Sequence, residues 1–165
     1  MSSPSDVAWR RCARLGRIVL LLVDQGPGRR AGRHENLRTW GIDRATGEQL
    51  LETFAALAAH AALRDTSPAA DIDAVPLSGV AAAATGQRDI ELLAGLPESF
   101  TDDRDQQAVS LFRRYAYQGG SSSRTLFQLS RELRHTLTLL ADRSPTPSPT
   151  CADLFRQADD AGLPS

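Results

Sequence analysis

Apolar residues recur at spacings of three and four along most of this chain, and few stretches alternate with a period of two, so the pattern predicts helices and no sheet. The first helix starts after Ser5 as N-cap and runs to about Val23, where Asp24, Gly26, Pro27 and Gly28 end it. A basic loop follows over residues 29–38, with a short helical turn near Trp40. The second helix takes Thr46 as N-cap with Gln49 three residues on, buries Leu50, Phe54, Leu57, Ala58 and Ala61 as one stripe, and ends near Arg64. Residues 66–76 read as a surface loop, and residues 77–84 and 88–93 as short helices.

A third long helix opens at Thr101, with Asp102, Asp103 and Asp105 in its first turn against the positive end of the helix dipole, and stops at Gly119-Gly120. The fourth starts near Ser122 or Ser123 and ends around Asp142. Residues 144–149 form a stiff, polyproline-like linker, after which Thr150 and Asp153 make a capping pattern for a short terminal helix. The expected architecture is therefore all-α, a compact bundle of about five to seven helices. Residues 1–143 form one helical domain in this reading, and residues 144–165 the Pro-rich linker and C-terminal helix.

Length and composition narrow the class. At 165 residues one domain can bury about two-thirds of its unfolded surface, so it needs no covalent staples. Cys12 and Cys151 are far apart and outside any C-x-x-C spacing, which implies neither a disulfide framework nor a zinc knuckle and points to a reducing, cytoplasmic setting. Arg10, Arg11, Arg14 and Arg17 precede the apolar run Ile18 to Val23, yet that run is far below the roughly 20 residues needed to span a bilayer. A soluble protein, neither secreted nor membrane-spanning and with no membrane partner, is expected.

Charge changes the picture most. The chain has 19 basic residues, every one an arginine, so a P-loop lysine, a Schiff-base lysine and a kinase-type lysine are all excluded. Residues 1–44 hold nine Arg against four acids, net +5, and residues 45–112 hold three Arg against eleven acids, net −8. Residues 113–143 return to net +4, with six Arg against two acids. A GC-rich coding sequence accounts for arginine over lysine but not for this segregation, and clustered charge of this kind suits phosphate or protein partners.

Helical projection sorts the arginines into rows. In the first helix Arg10, Arg14 and Arg17 fall within about 60°. In the third, Arg113, Arg114 and Tyr117 oppose Leu111, Phe112 and Tyr115. In the fourth, Leu126, Leu129, Leu133, Leu137 and Leu140 form a stripe about 80° wide, with Arg124, Arg131, Arg134 and His135 opposite. Arg29, Arg30 and Arg33 lie in a glycine-rich loop that lacks the Walker spacing. Guanidinium groups bind phosphate bidentately, and Tyr117 or Trp40 could stack on bases, so these residues are the candidate nucleic-acid contacts.

Other chemistry finds little footing. Asp102-Asp103-Arg104-Asp105 has the wrong spacing for a D-D-x-x-D magnesium motif, and the dipole already accounts for acids at a helix start. His34, His60 and His135 share no ligand spacing, and the serines at 121–123 form no G-x-S-x-G elbow. Neither catalytic residues, metal nor cofactor are expected.

Residues 106–120, QQAVSLFRRYAYQGG, followed by Ser123-Arg-Thr-Leu and Leu129-Ser-Arg-Glu-Leu-Arg134, resemble the small helical subunits of CRISPR surveillance complexes over about a quarter of the chain. The resemblance implies a non-catalytic all-α subunit that stacks in several copies along guide RNA or single-stranded target and contacts backbones through basic faces. It also implies that the acidic middle could meet a neighbouring copy's basic flank. Two other readings stand beside it: a protein-interaction adaptor whose arginine faces dock on acidic partners, and a small helical enzyme whose site is too scattered to recognise.

Overall fold

A computed structural model describes residues 4–25, 41–66, 71–84, 103–117 and 121–163. Side chains are described for all of these except residues 4–7, 23–25, 65–66, 104–105, 116–117 and 121–125. The described residues form six α-helices, a single 3-10 turn and no sheet, which is the all-α class the periodicity predicts. The helices are α1 (Pro4–Gln25), α2 (Arg44–Thr66), α3 (Leu77–Ala83), α4 (Asp103–Tyr117), α5 (Ser121–Arg143) and α6 (Cys151–Asp160). None of the described helices is long and apolar enough to cross a membrane. The short helix expected at 88–93 and the turn at Trp40 lie outside the described residues.

The second helix begins earlier than its sequence suggests. Asp43, not Thr46, is the cap: its Oδ1 accepts the Thr46 N–H at 3.0 Å and its Oδ2 accepts the Thr46 hydroxyl at 2.7 Å. Aspartate is the better acceptor for an orphan N–H because it is charged, and the Thr46 N–H in turn holds the Asp43 carboxyl below the usual carboxylate range.

α2 is the centre of the bundle. Besides the expected stripe it buries Leu51, Thr53, Ala55, Ala56, Ala59 and Ala62, so almost no side of it meets water over four turns. A helix that is apolar all round must be surrounded, and α1, α3, α4 and α5 all pack on it. Alanine makes that possible because a methyl group lets neighbouring helices come close. α1 takes this furthest at Gly16, where an added Cβ would collide with the Glu52 carbonyl oxygen of α2. Elsewhere larger groups fill the space, as where Phe54 of α2 meets Phe112 of α4 edge-on with centroids 5.3 Å apart.

Residues 71–76 are not wholly a surface loop, since Ile72 and Val75 are buried around a 3-10 turn (Ile72–Ala74). That turn receives the C-terminal segment. Leu77 N–H donates to the Pro149 carbonyl at 2.9 Å and Cys151 N–H to the Val75 carbonyl at 2.8 Å, forming an isolated antiparallel bridge between Pro76 and Thr150. α6 then follows with the predicted capping box, the Thr150 N–H donating to Asp153 Oδ2 at 2.8 Å. It buries Cys151, Leu154, Phe155 and Ala158 in the common core. Gly162, at φ +72°, closes it: Gly162 N–H reaches the Asp159 carbonyl and Leu163 N–H the Ala158 carbonyl, a Schellman end that needs a left-handed residue. Cys12 and Cys151 are both free and buried, and burial pushes each thiol up to about 12.

Candidate nucleic-acid interface

The arginine row of α1 faces acids from distant parts of the same chain. Arg14 Nη2 lies 2.8 Å from Asp159 Oδ1 at the end of α6, and its guanidinium carbon sits 5.0 Å from the centre of the Phe155 ring. Neighbouring Arg11 makes a close hydrogen bond to Asp73, is 3.8 Å from Asp71, and covers the same Phe155 ring at 5.5 Å. Arg17 Nη1 is 4.0 Å from Glu52 Oε1 on α2, beside the Gly16 crossing. The acidic middle of the chain, through Glu52, Asp71 and Asp73, and the C-terminal helix, through Asp159, thus both meet the basic N-terminal flank, and the α6 side of that boundary also carries the cation–π contacts to Phe155. Arg10 is exposed on the same helix.

α5 differs. Leu126, Leu129, Leu133 and Leu137 are buried and Leu140 is partly buried, as the wheel predicts, while Arg131, Arg134, His135 and Thr138 are exposed. Among the described residues, neither Arg131 nor Arg134 has an acidic partner within ion-pair distance, and the carboxylate between them, Glu132, is turned into the protein and buried. Ser130 and Thr138 donate their hydroxyl protons to carbonyls one turn back, Phe127 O at 2.7 Å and Arg134 O at 2.8 Å. Guanidinium groups, an imidazole and the Thr138 hydroxyl oxygen are therefore the polar groups this face turns toward water between positions 131 and 138.

Phe127 completes the face, and sequence reasoning missed it. It is 62% exposed, the one large hydrophobic residue so exposed among the described residues. On a helical projection it lies about 20° from Arg134 and about 40° from Arg131, in the middle of the cationic row. The signal was present in its position, because a phenylalanine opposite a leucine stripe cannot reach the same core.

The remaining candidates fall into two groups. Arg113 is half-buried in α4 and Arg114 is exposed in its last turn, with three residues of sequence between α4 and α5. Tyr117 and Arg124 are placed by their backbones at the end of α4 and the start of α5, with side chains outside the described set. Arg29, Arg30 and Arg33 lie outside the described residues altogether. No group of three or more His, Cys, Asp or Glu side chains that could hold a metal occurs among the described residues. His60 is half-buried against Trp9, ring centroids 6.3 Å apart, and burial followed by the Arg64 charge lowers its pKa. No protein family, no curated protein and no solved structure matches this chain.

Proposed function

We propose that this chain is a non-catalytic helical subunit that binds nucleic-acid backbone through the outer face of α5, within a multi-subunit ribonucleoprotein assembly of the CRISPR type that the α4–α5 sequence resembles. One observation supports the reading above the others: Arg131 and Arg134 are exposed, lie on one face and have no acidic partner among the described residues, whereas Arg11, Arg14 and Arg17 of α1 are held by the chain's own acids. An arginine without an intramolecular counter-ion keeps its full attraction for phosphate, because no pre-existing pair must be broken first. Arg114, exposed in the last turn of α4, and Arg124, in the first turn of α5, are assigned to the same interface in this reading. In this reading Arg14 and Arg17 contribute to the fold, and further protein subunits or copies of the chain supply the rest of the nucleic-acid track.

The test is binding of the full chain to labelled single-stranded RNA and DNA across a salt series, beside R131Q/R134Q. Affinity should fall steeply as salt rises, and the double variant should bind more weakly with a slope shallower by about one to two units. An affinity indifferent to salt rules the proposal out. Phe127 among arginines also fits the composition of a protein-binding patch, so an adaptor role is the second reading. A purified partner complex that survives nuclease treatment and is lost in R131Q/R134Q would favour it.

A further inference from the structure

We infer that Phe127 is a stacking platform for an unpaired base, so that the α5 face takes single-stranded rather than duplex nucleic acid. The inference rests on the backbone-binding reading above and adds to it the class of strand.

Every other large apolar side chain described on α5 points inward or is partly covered, yet Phe127 stands in water at 62% exposure. Leaving a phenylalanine solvated forgoes the burial that its neighbours obtain, so its ring is available to whatever lies on the face. What surrounds it is selective. Arg131 is one turn along the helix, about 6 Å, and Arg134 two turns, about 10.5 Å, both within reach of the backbone of a nucleotide whose base covers the ring. The hydroxyls of Ser130 and Thr138 are turned to main-chain carbonyls, and Glu132 is buried. From Phe127 to Thr138 the exposed face thus offers cationic donors and an aromatic plane, with no exposed carboxylate and, as side-chain acceptors, the partly exposed Gln128 amide and the Thr138 hydroxyl oxygen. A peptide backbone would bring N–H groups to a surface poor in acceptors. A single strand brings phosphates and π-faces, which are what the surface can satisfy, and a duplex keeps its bases stacked on one another where the ring cannot reach them.

Phosphate attraction and base stacking separate on an abasic strand, which keeps every phosphate and has no base. The full chain, F127A, F127W and R131Q/R134Q are measured against a thymidine oligonucleotide of about 15 residues, an abasic strand of equal length and a duplex of the same phosphate count. The wild type should bind the thymidine strand about tenfold more tightly than the abasic strand and more tightly than the duplex, and a duplex bound as tightly as the thymidine strand would overturn the single-strand preference. F127A should erase the preference over the abasic strand while leaving the salt slope and the affinity for duplex unchanged, and F127W should keep it. R131Q/R134Q should weaken all three ligands and flatten their salt dependence. If F127A weakens thymidine and abasic strands equally, or neither, the ring is no stacking platform and the inference is overturned while backbone binding stands. If the wild type binds none of the three even at low salt, the backbone-binding reading fails first and takes this inference with it.

Discussion

Two arginine rows of the same helical spacing have opposite fates in this molecule. Arg14 and Arg17 of the α1 row, with their neighbour Arg11, pack against α6, α2 and the 3-10 turn, where Asp159, Glu52 and Asp73 meet them, while Arg10 stays exposed. The row on α5 looks outward, with Phe127 in its middle and its one intervening carboxylate buried. Helical periodicity fixes which residues share a face. It does not say whether that face meets water or a distant acidic segment, because the acids concerned lie 35 to 145 positions further along the chain. Charge segregation along the sequence therefore has two physical sources here: part of it is an internal electrostatic fit of the basic N-terminal flank to acids of the middle segment and of α6, and only the remainder is available to a partner.

The sharpest way to break this contrast is at Gly16. An alanine there would push its methyl into the Glu52 carbonyl of α2, and since both obstacles are helix backbone, the helices must separate. Gly16→Ala should cost on the order of 2–3 kcal/mol and lower Tm by about 4–10 °C in a thermal melt. Because Arg17 is the next residue, its pairing to Glu52 should loosen as well, making α1 more like α5. An unchanged Tm would mean that the close crossing is not what holds the row inward.

Next in size is the binding contrast itself. R131Q/R134Q should reduce affinity for a single strand roughly tenfold at about 0.1 M salt while leaving Tm within about 1 °C, since both side chains are exposed and unpaired among the described residues. R14Q/R17Q should do the reverse, with stability lowered and strand affinity little changed. Equal losses of affinity in the two doubles would show that the internal pairs open readily enough for α1 to join the interface.

How much of this was legible in the sequence follows the same division. The leucine stripe of α5 and the Thr150–Asp153 cap depend on residues within one or two turns of each other, and both can be read locally. Asp43 as the α2 cap was equally local, but Thr46 and Gln49 imitate a capping box three residues later, and the charged acceptor prevails. The all-round burial of α2 was not legible from its stripe, because the alanines that complete it are neutral in a hydrophobic wheel and become core only when four helices close around them. The docking of residues 144–163 was hidden for a related reason: its bridge to Val75 and Leu77 uses backbone groups that no side-chain pattern reports. At the interface, the exposed arginines were readable and Phe127 was overlooked, since tyrosine and tryptophan drew attention as stacking residues ahead of an apolar ring on a polar face.

A smaller effect separates the two arginines' environments one at a time. Arg14→Gln removes the ion pair to Asp159 and the contact with the Phe155 ring, in a place where Asp159 is largely solvated, so the loss should be about 0.5–1 kcal/mol and about 1–4 °C in Tm. Adding salt should shrink the difference between wild type and variant, because an exposed pair is screened. A salt-independent difference would assign the loss to the ring contact and the packing of the arginine stem on α6.

The smallest expected effect lies on the inward side of α1, where Trp9 meets His60 of α2. Burial, and secondarily Arg64, hold His60 below the ordinary imidazole value near 6.5, so the folded protein favours the neutral ring. The unfolded chain then binds more protons than the folded one between the two values, and stability must fall as pH drops through that window and level off below the folded-state value. Thermal melts between about pH 7.5 and pH 5 should show this decline, and His60→Gln should flatten it while leaving the acid-limb loss from the depressed Asp43 and Asp153 carboxyls, which begins lower, in the carboxylate range. A decline of the same slope in His60→Gln would place the titrating group elsewhere. His60 and His135 repeat the contrast of the arginine rows, one packed between helices and one turned to solvent on the face proposed to bind the strand.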